Sequence, residues 1–438
     1  MQQKGGVDAM AQMSKGKQWT VMVYLAGDNN LDTAGVGDLE EMKKVGSTKD
    51  VNVIAQFDRQ GSRLKTNRYY LRKGESLEND KVASLGETNT GDPKVLEGFI
   101  ECGAEKYPAQ HYLLVVWNHG AGWDDTNIYR EARRTLALNI TRKKSVLEKS
   151  LGAARKAVKL SQIRAISRRG FRRALFRTPI EKALVARAIA FDDNAQDFLD
   201  NIEMKKLLSS AKKTFGRKID IVGMDACLMS MAEVLYQMRD SVEFAVGSEE
   251  VEPGDGWPYD TILAELARKP TVSPRQLVAV IVEKYLASYS AGDSVTQSAC
   301  DLSKSEAMAA AIDKLAKALI DNLSSETVRM TILNARNQVQ SYEVSDYVDL
   351  VDFCDLVKSS TSQAPIPSAC QAARDAAIAK GFVIKSGYKG APMGHSSGLS
   401  IYFPTREISP LYANLDFVNK TAWGKFLQEY VESTSRRL

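Results

Sequence analysis

Five nearly continuous apolar runs constrain this chain more than anything else in it: WTVMVYLAG (19–27), VNVIAQF (51–57), YLLVVW (112–117), IDIVGM (219–224) and EFAVGS (243–248). They are too short for membrane spans, and their lack of alternation suits strands covered on both faces. Stretches with helical spacing lie between them: around 38–45, at 91–107, where Asp92 and Pro93 suit a helix start, and at 201–216, closed by Gly216. Such alternation predicts a mainly parallel α/β sheet flanked by helices. In such sheets ligands and catalytic groups collect at the carboxyl edge. NRYYLRK (67–73) alternates and reads as an edge or hairpin strand. Beyond residue 259, helical patterns recur around 274–289, 304–322, 366–380 and 420–433, with strand-like VTQSACDL (295–302) and GLSIYFP (398–404).

Two of the apolar runs end on residues with chemistry. YLLVVW leads into Asn118-His119-Gly120, and His119 is one of only three histidines in 438 residues. IDIVGM leads into Asp225-Ala226-Cys227, with Cys227 expected at the head of a helix through Met231, Val234, Leu235 and Met238. There the helix dipole would favour a thiolate. Taken alone, Cys227 also fits a buried, inert cysteine. A Cys and a His delivered to one sheet edge by two strands, however, make a nucleophile and a proton donor for acyl transfer. Other sites are weaker. Ser396 and Ser397 form no GxSxG elbow, His395 lies in a polar loop, His111 reads as a surface residue, and Asp192-Asp193 lacks EF-hand spacing.

Cys102, Cys227, Cys300, Cys354 and Cys370 include no CxxC pair, so neither a zinc site nor a disulfide framework is indicated. Residues 1–16 hold no apolar run of the signal-peptide kind. A mobile tail and a cytoplasmic location are the expectations from these features.

The two strand ends, with several longer stretches, resemble the clostripain family of cysteine peptidases, in the caspase–gingipain–legumain group (clan CD). WTVMVYLAGDNNLD (19–32) is similar to that family's first strand and turn, and FDDNAQDFLDNIEMKKLL (191–208) to the segment before its cysteine strand. GSEEVEPGDGWPYD (247–260) is similar to its post-cysteine loop, and GLSIYFP to its late strand. The likeness covers roughly residues 17–125 and 190–430. It implies a caspase-like fold and peptide hydrolysis by a Cys227–His119 dyad, with an oxyanion hole from the N–H groups of Gly120 and Cys227. It also implies that Asp225 and Asp255 line a pocket selecting Arg or Lys of peptide or protein substrates through charge-assisted hydrogen bonds. No redox cofactor follows from it. Calcium is left open without a located site. Structural readings stand beside these: Gly120 as a turn glycine, Asp225 as a helix cap, Asp255 as an Asp-Gly turn residue. Glu249 and Glu250 are expected to be solvated. Family members are often exported, which runs against the cytoplasmic expectation.

Charge sets one segment apart. Residues 130–190 hold 18 Lys and Arg against three acids, a surplus of 15 that leaves the rest of this +5 chain at −10. Interleaved apolar residues make it a basic amphipathic stretch. Lying between the His and Cys strands, it is expected to be an activation segment cut by the enzyme itself, with Lys144, Lys149, Arg169 and Arg173 as candidate sites. The alternative is a catalytically silent scaffold that binds nucleic acid or an anionic membrane through this insert. The expected organisation is thus a tail (1–16), a catalytic domain (17–129 and 190–258), the insert (130–189) and an α+β accessory region (259–438).

Overall fold

The computed structural model describes residues 16–28, 31–59, 65–118, 123 and 201–435, and the backbone of two short strands within the insert. His119, Gly120, Lys144, Lys149 and Arg169 lie outside the described residues, as do Asp192, Asp193 and the tail up to residue 15; of Arg173 only the backbone is described. In chain order the strands are β1 (Lys17–Gly27), β2 (Val51–Arg59), β3 (Thr66–Tyr70), β4 (Lys81–Gly86), β5 (Ala109–Trp117), β6 (Arg173–Ala174), β7 (Asp197–Phe198), β8 (Ile219–Asp225), β9 (Val242–Gly247), β10 (Thr296–Asp301), β11 (Tyr347–Asp349), β12 (Val383–Tyr388) and β13 (Ser400–Tyr402). Nine of them form one sheet in the order β12-β10-β9-β8-β5-β1-β2-β3-β4. The central five, β9-β8-β5-β1-β2, are parallel, and the outer pairs are antiparallel.

The apolar runs become the central strands because both sheet faces are covered. Along β5, Leu114 and Val116 pack into one core with the helices Pro93–Lys106, Asn201–Phe215 and Ser305–Ile320. Leu113, Val115 and Trp117 enter the opposite core with Asp32–Val45, Tyr259–Arg268 and Pro274–Ser288. The side-chain period of two thus feeds two layers. Pro274–Ser288 starts with a full capping box, Ser273 with Gln276.

Residues 259–438 do not form a separate accessory unit. β10 joins the sheet edge antiparallel to β9, and β12 pairs with β10. The main sheet therefore extends past the boundary expected at 258, because β9 has a free edge that must be paired or covered.

Trp257 ties the second half of the chain to the centre of the sheet. Its ring lies on Gly223 of β8, so that a Cβ there would stand 2.7 Å from the ring and 3.4 Å from Val115. Gly223→Ala is expected to push this buried ring aside and cost about 1–3 kcal/mol, read by urea unfolding. A loss below about 0.5 kcal/mol would show that the ring yields freely.

Candidate active site

The site is assembled at the carboxyl edge of β5 and β8. Their parallel register pairs Trp117 with Asp225, and the Asn118 N–H donates to the Asp225 carbonyl at 3.3 Å. His119 follows Trp117 by two residues, and Cys227 follows Asp225 by two. β5 also pairs with β1, whose other neighbour is β2. The chain order thus reverses beside β5, the position where open α/β sheets carry their clefts.

Cys227 is not at a helix head. The next helix runs Ala232–Met238, and residues 226–231 instead lie against the segment after β9. Leu228 N–H donates to the Glu250 carbonyl at 3.3 Å and Ser230 N–H to the Ser248 carbonyl at 2.8 Å. Met231 makes a bridge to Ser400 of β13. These long-range bonds hold 226–231 extended or turned and delay the helix, so the dipole argument for Cys227 falls away. The Cys227 Sγ accepts the Glu252 backbone N–H at 3.4 Å. The following residue, Leu228, has φ of 63°, a left-handed conformation that costs an L-residue roughly 1–2 kcal/mol. Its side chain is fully buried, which offsets that strain.

A cleft with about 30 Å³ of free volume opens beside Cys227, lined by Leu31, Asn118, Asp225, Glu252 and Gly256 among others. Asp225 does not cap a helix. Its Oδ2 accepts the Tyr259 hydroxyl at 2.8 Å and the Trp257 N–H at 3.4 Å, and its carboxyl meets that of Glu252. Gly256, at φ of 56°, packs so closely that a Cβ would stand 3.2 Å from both Asp225 oxygens. Burial pushes the Asp225 carboxyl up to about 6. Glu252 is held well above the usual carboxyl range, first by burial and then by the Asp225 charge. Asp38, on the helix Asp32–Val45, is raised likewise by burial and by Asp225, and accepts a hydrogen bond from the Trp117 side chain. Among the described residues none of these three carboxyls forms a salt bridge.

The remaining sequence candidates fall into place around this cleft. Asp255 is exposed, between two glycines that line the cleft, and its charge acts on Asp38 and Glu41. Glu249 and Glu250 are buried rather than solvated. Glu249 accepts from the Tyr342 hydroxyl at 2.7 Å and the Gly398 N–H at 3.0 Å; Glu250 accepts from the Val251 N–H at 2.7 Å. The Glu343 N–H also donates to Glu250 at 3.3 Å, so both buried carboxyls take donors from distant parts of the chain. His111 is half-buried, with Nδ1 2.8 Å from Asp220, and His395 is exposed beside Asp352. Sequence reasoning missed Glu252 and Asp38. Glu252 was open to discovery as the third acid of the quoted GSEEVEPGDGW loop; nothing in the sequence around Asp38 distinguishes it from a surface helix residue. Among the described residues no three His, Cys, Asp or Glu side chains are grouped to hold a metal, so calcium finds no such set there. No described helix is long and apolar enough to cross a membrane.

Comparison with known proteins agrees with this geometry. The sequence model of the clostripain family matches residues 23–150 and 179–430. Clostripain of Hathewaya histolytica is 25% identical over 414 residues, covering 81% of this chain and 68% of that protein. A secreted C11 cysteine protease from Bacteroides thetaiotaomicron, solved with an irreversible peptide inhibitor, has the same fold with a TM-score of 0.60 at 19% identity. That match covers 93% of this chain and 99% of the other. An inactive zymogen C11 protease from Parabacteroides distasonis superposes with a TM-score of 0.58, also at 19% identity and with the same coverage. The silent-scaffold alternative finds no support in these matches. With most of its length matched and a cysteine at the sheet edge, the chain belongs to the clostripain family of cysteine peptidases.

Proposed function

We propose that this peptidase hydrolyses peptide bonds after Arg or Lys, with Cys227 as nucleophile and His119 as acid and base. The observation that carries the specificity is the cleft beside Cys227, floored by buried carboxyls that have no salt-bridge partner among the described residues. A buried carboxylate is costly unless paired, and a guanidinium or ammonium supplies the missing charge and donors. The cleft as it stands has room for about one water-sized group. A P1 side chain therefore has to displace part of the 252–257 segment.

The chemistry follows from the two strand ends. The Cys227 thiolate attacks the scissile carbonyl carbon, and the N–H groups of Gly120 and Cys227 receive the developing oxyanion. Loss of one such donor typically costs about 2.7–4 kcal/mol. Protonated His119 gives its proton to the leaving amine as the C–N bond breaks, leaving a thioester. Water, losing a proton to His119, then attacks the thioester. The C–S bond breaks and the carboxylic acid leaves. The insert offers the same pocket many basic residues of its own chain, and self-cleavage at Lys144, Lys149, Arg169 or Arg173 is the reading of its charge we favour. Calcium is not assigned a role in any step.

Fluorogenic peptides ending in Arg, Lys, Asp or Asn test this reading directly. Wild type is expected to turn over only the Arg and Lys peptides, and Cys227→Ala to lose at least about 10³-fold. Intact mass should show wild type cut between residues 124 and 200 and the Cys227→Ala chain whole. Turnover by folded Cys227→Ala at the wild-type rate would remove the thiol from the mechanism. An uncut wild type that still cleaves peptides would remove the activation reading.

Asp225→Asn separates function from stability. The folded-state pKa of Asp225, about 6, lies above its unfolded value near 4. Its favourable contribution is therefore full below about pH 4 and is lost as pH rises through about 6. Asp225→Asn is expected to lose about 100-fold in kcat/KM for Arg peptides. At pH 8 it should melt higher than wild type, by about 1–3 kcal/mol of stability, with the gap closing at pH 4. An equal gap at both pH values would show that Asp225 does not titrate on folding.

A further inference from the structure

Glu252 touches both halves of the site. Its backbone N–H reaches the Cys227 sulfur at 3.4 Å, and its side chain lines the cleft against Asp225. One carboxyl oxygen, Oε1, accepts the Gln297 amide at 3.1 Å. The other, Oε2, is buried and has no hydrogen bond of normal length; the Trp257 indole faces this carboxyl, which also stands in contact with that of Asp225. Two ionised carboxyls in contact, both buried, would repel each other with nothing to neutralise them. A single proton between them satisfies Oε2 and turns the repulsion into a hydrogen bond. Gln297 fixes which oxygen is free to carry it. That glutamine is fully buried on β10, and its own Oε1 accepts the Ser298 N–H at 3.3 Å, which orients its amide nitrogen toward Glu252.

We propose that Glu252 is a specificity residue of the P1 pocket: held by Gln297, its carboxyl stays protonated and donates to Asp225, so that the pocket floor presents one negative charge, matched to one Arg or Lys side chain. The inference rests on the Arg/Lys reading above. The groups facing Glu252 are consistent with retention of the proton. Asp225 on β8, Tyr259 on the helix Tyr259–Arg268, Tyr285 on Pro274–Ser288 and the Cys227 thiol supply acidic groups, and Gln297 and the Trp257 indole neutral donors. None of them is a cation. The bond between Glu252 and Asp225 also links pocket to nucleophile, because any P1 group that breaks it moves the backbone N–H lying on the sulfur.

Two variants and one spectrum test this. Glu252→Met keeps the volume but removes both donor and acceptor; it is expected to raise KM for Arg peptides about tenfold or more, with kcat falling less. Glu252→Gln copies the protonated acid, accepting from Gln297 and donating to Asp225, and is expected to rescue most of that loss. The infrared difference between wild type and either variant at pH 7 should contain a protonated-carboxyl C=O stretch belonging to Glu252, a readout that needs no turnover. A Gln variant as impaired as the Met variant toward Arg, or a difference spectrum with only a carboxylate band, would overturn the proposal. If wild type cleaves no Arg or Lys peptide, the specificity reading fails by itself, and the infrared band still decides the charge of the pair. Either variant supplies that spectrum should the other not fold.

Discussion

Everything at the site depends on the parallel pairing of β5 with β8. These strands are about a hundred residues apart in sequence, and the basic insert lies between them. Parallel neighbours need a long crossover, and this one spans the segment 118–218. Because Trp117 lies opposite Asp225, the two chains leave the sheet level with each other. Asn118 and Asp225 leave the sheet side by side, and Cys227 follows two residues later. A one-residue slip of β8 against β5 would turn its side chains to the other face of the sheet.

The same edge concentrates costly groups. Asp225, Glu252 and Asp38 are all buried and all pushed above the ordinary carboxyl range, Asp225 by burial and the other two by burial and the Asp225 charge. Leu228 adds a left-handed backbone immediately after Cys227. A fold does not gain stability from such an arrangement; it is held in place by the surrounding core, with Trp257 seated on Gly223 and Tyr259 bonded to Asp225. A second buried carboxyl pair, Glu249 with Asp349, fastens the post-cysteine loop to the segment before β13. The loop that shapes the pocket is thus anchored at one end by polar bonds and at the other by aromatic packing.

How much of this was legible in the sequence varies with the range of the interactions involved. The central strands were readable because burial on both faces leaves a continuous apolar run. β4, KVASLG, was not, since it alternates at an exposed edge with Val82 and Leu85 partly in solvent. The helices Glu326–Gln338 and Leu350–Ser360 also escaped: the first is rich in polar residues, and the second opens on an apolar cluster that resembles a strand. The helix after Cys227 was read with the right apolar faces and a start five residues early, because the hydrogen bonds that hold 226–231 come from residues 248–250 and 400. Asp225 stood out by its place beside the cysteine. Glu252 did not, since the amide that holds its carboxyl belongs to Gln297, forty-five residues on.

The most direct test of the account is covalent. A peptidyl electrophile with Arg at P1, incubated with the folded wild-type protein and followed by peptide mass mapping, should place one adduct on Cys227 and none on Cys102, Cys300, Cys354 or Cys370. The matching reagent with Glu at P1 should leave the protein unmodified. Labelling of another cysteine, or equal labelling by both reagents, would contradict a nucleophile at the end of β8 served by an acidic pocket.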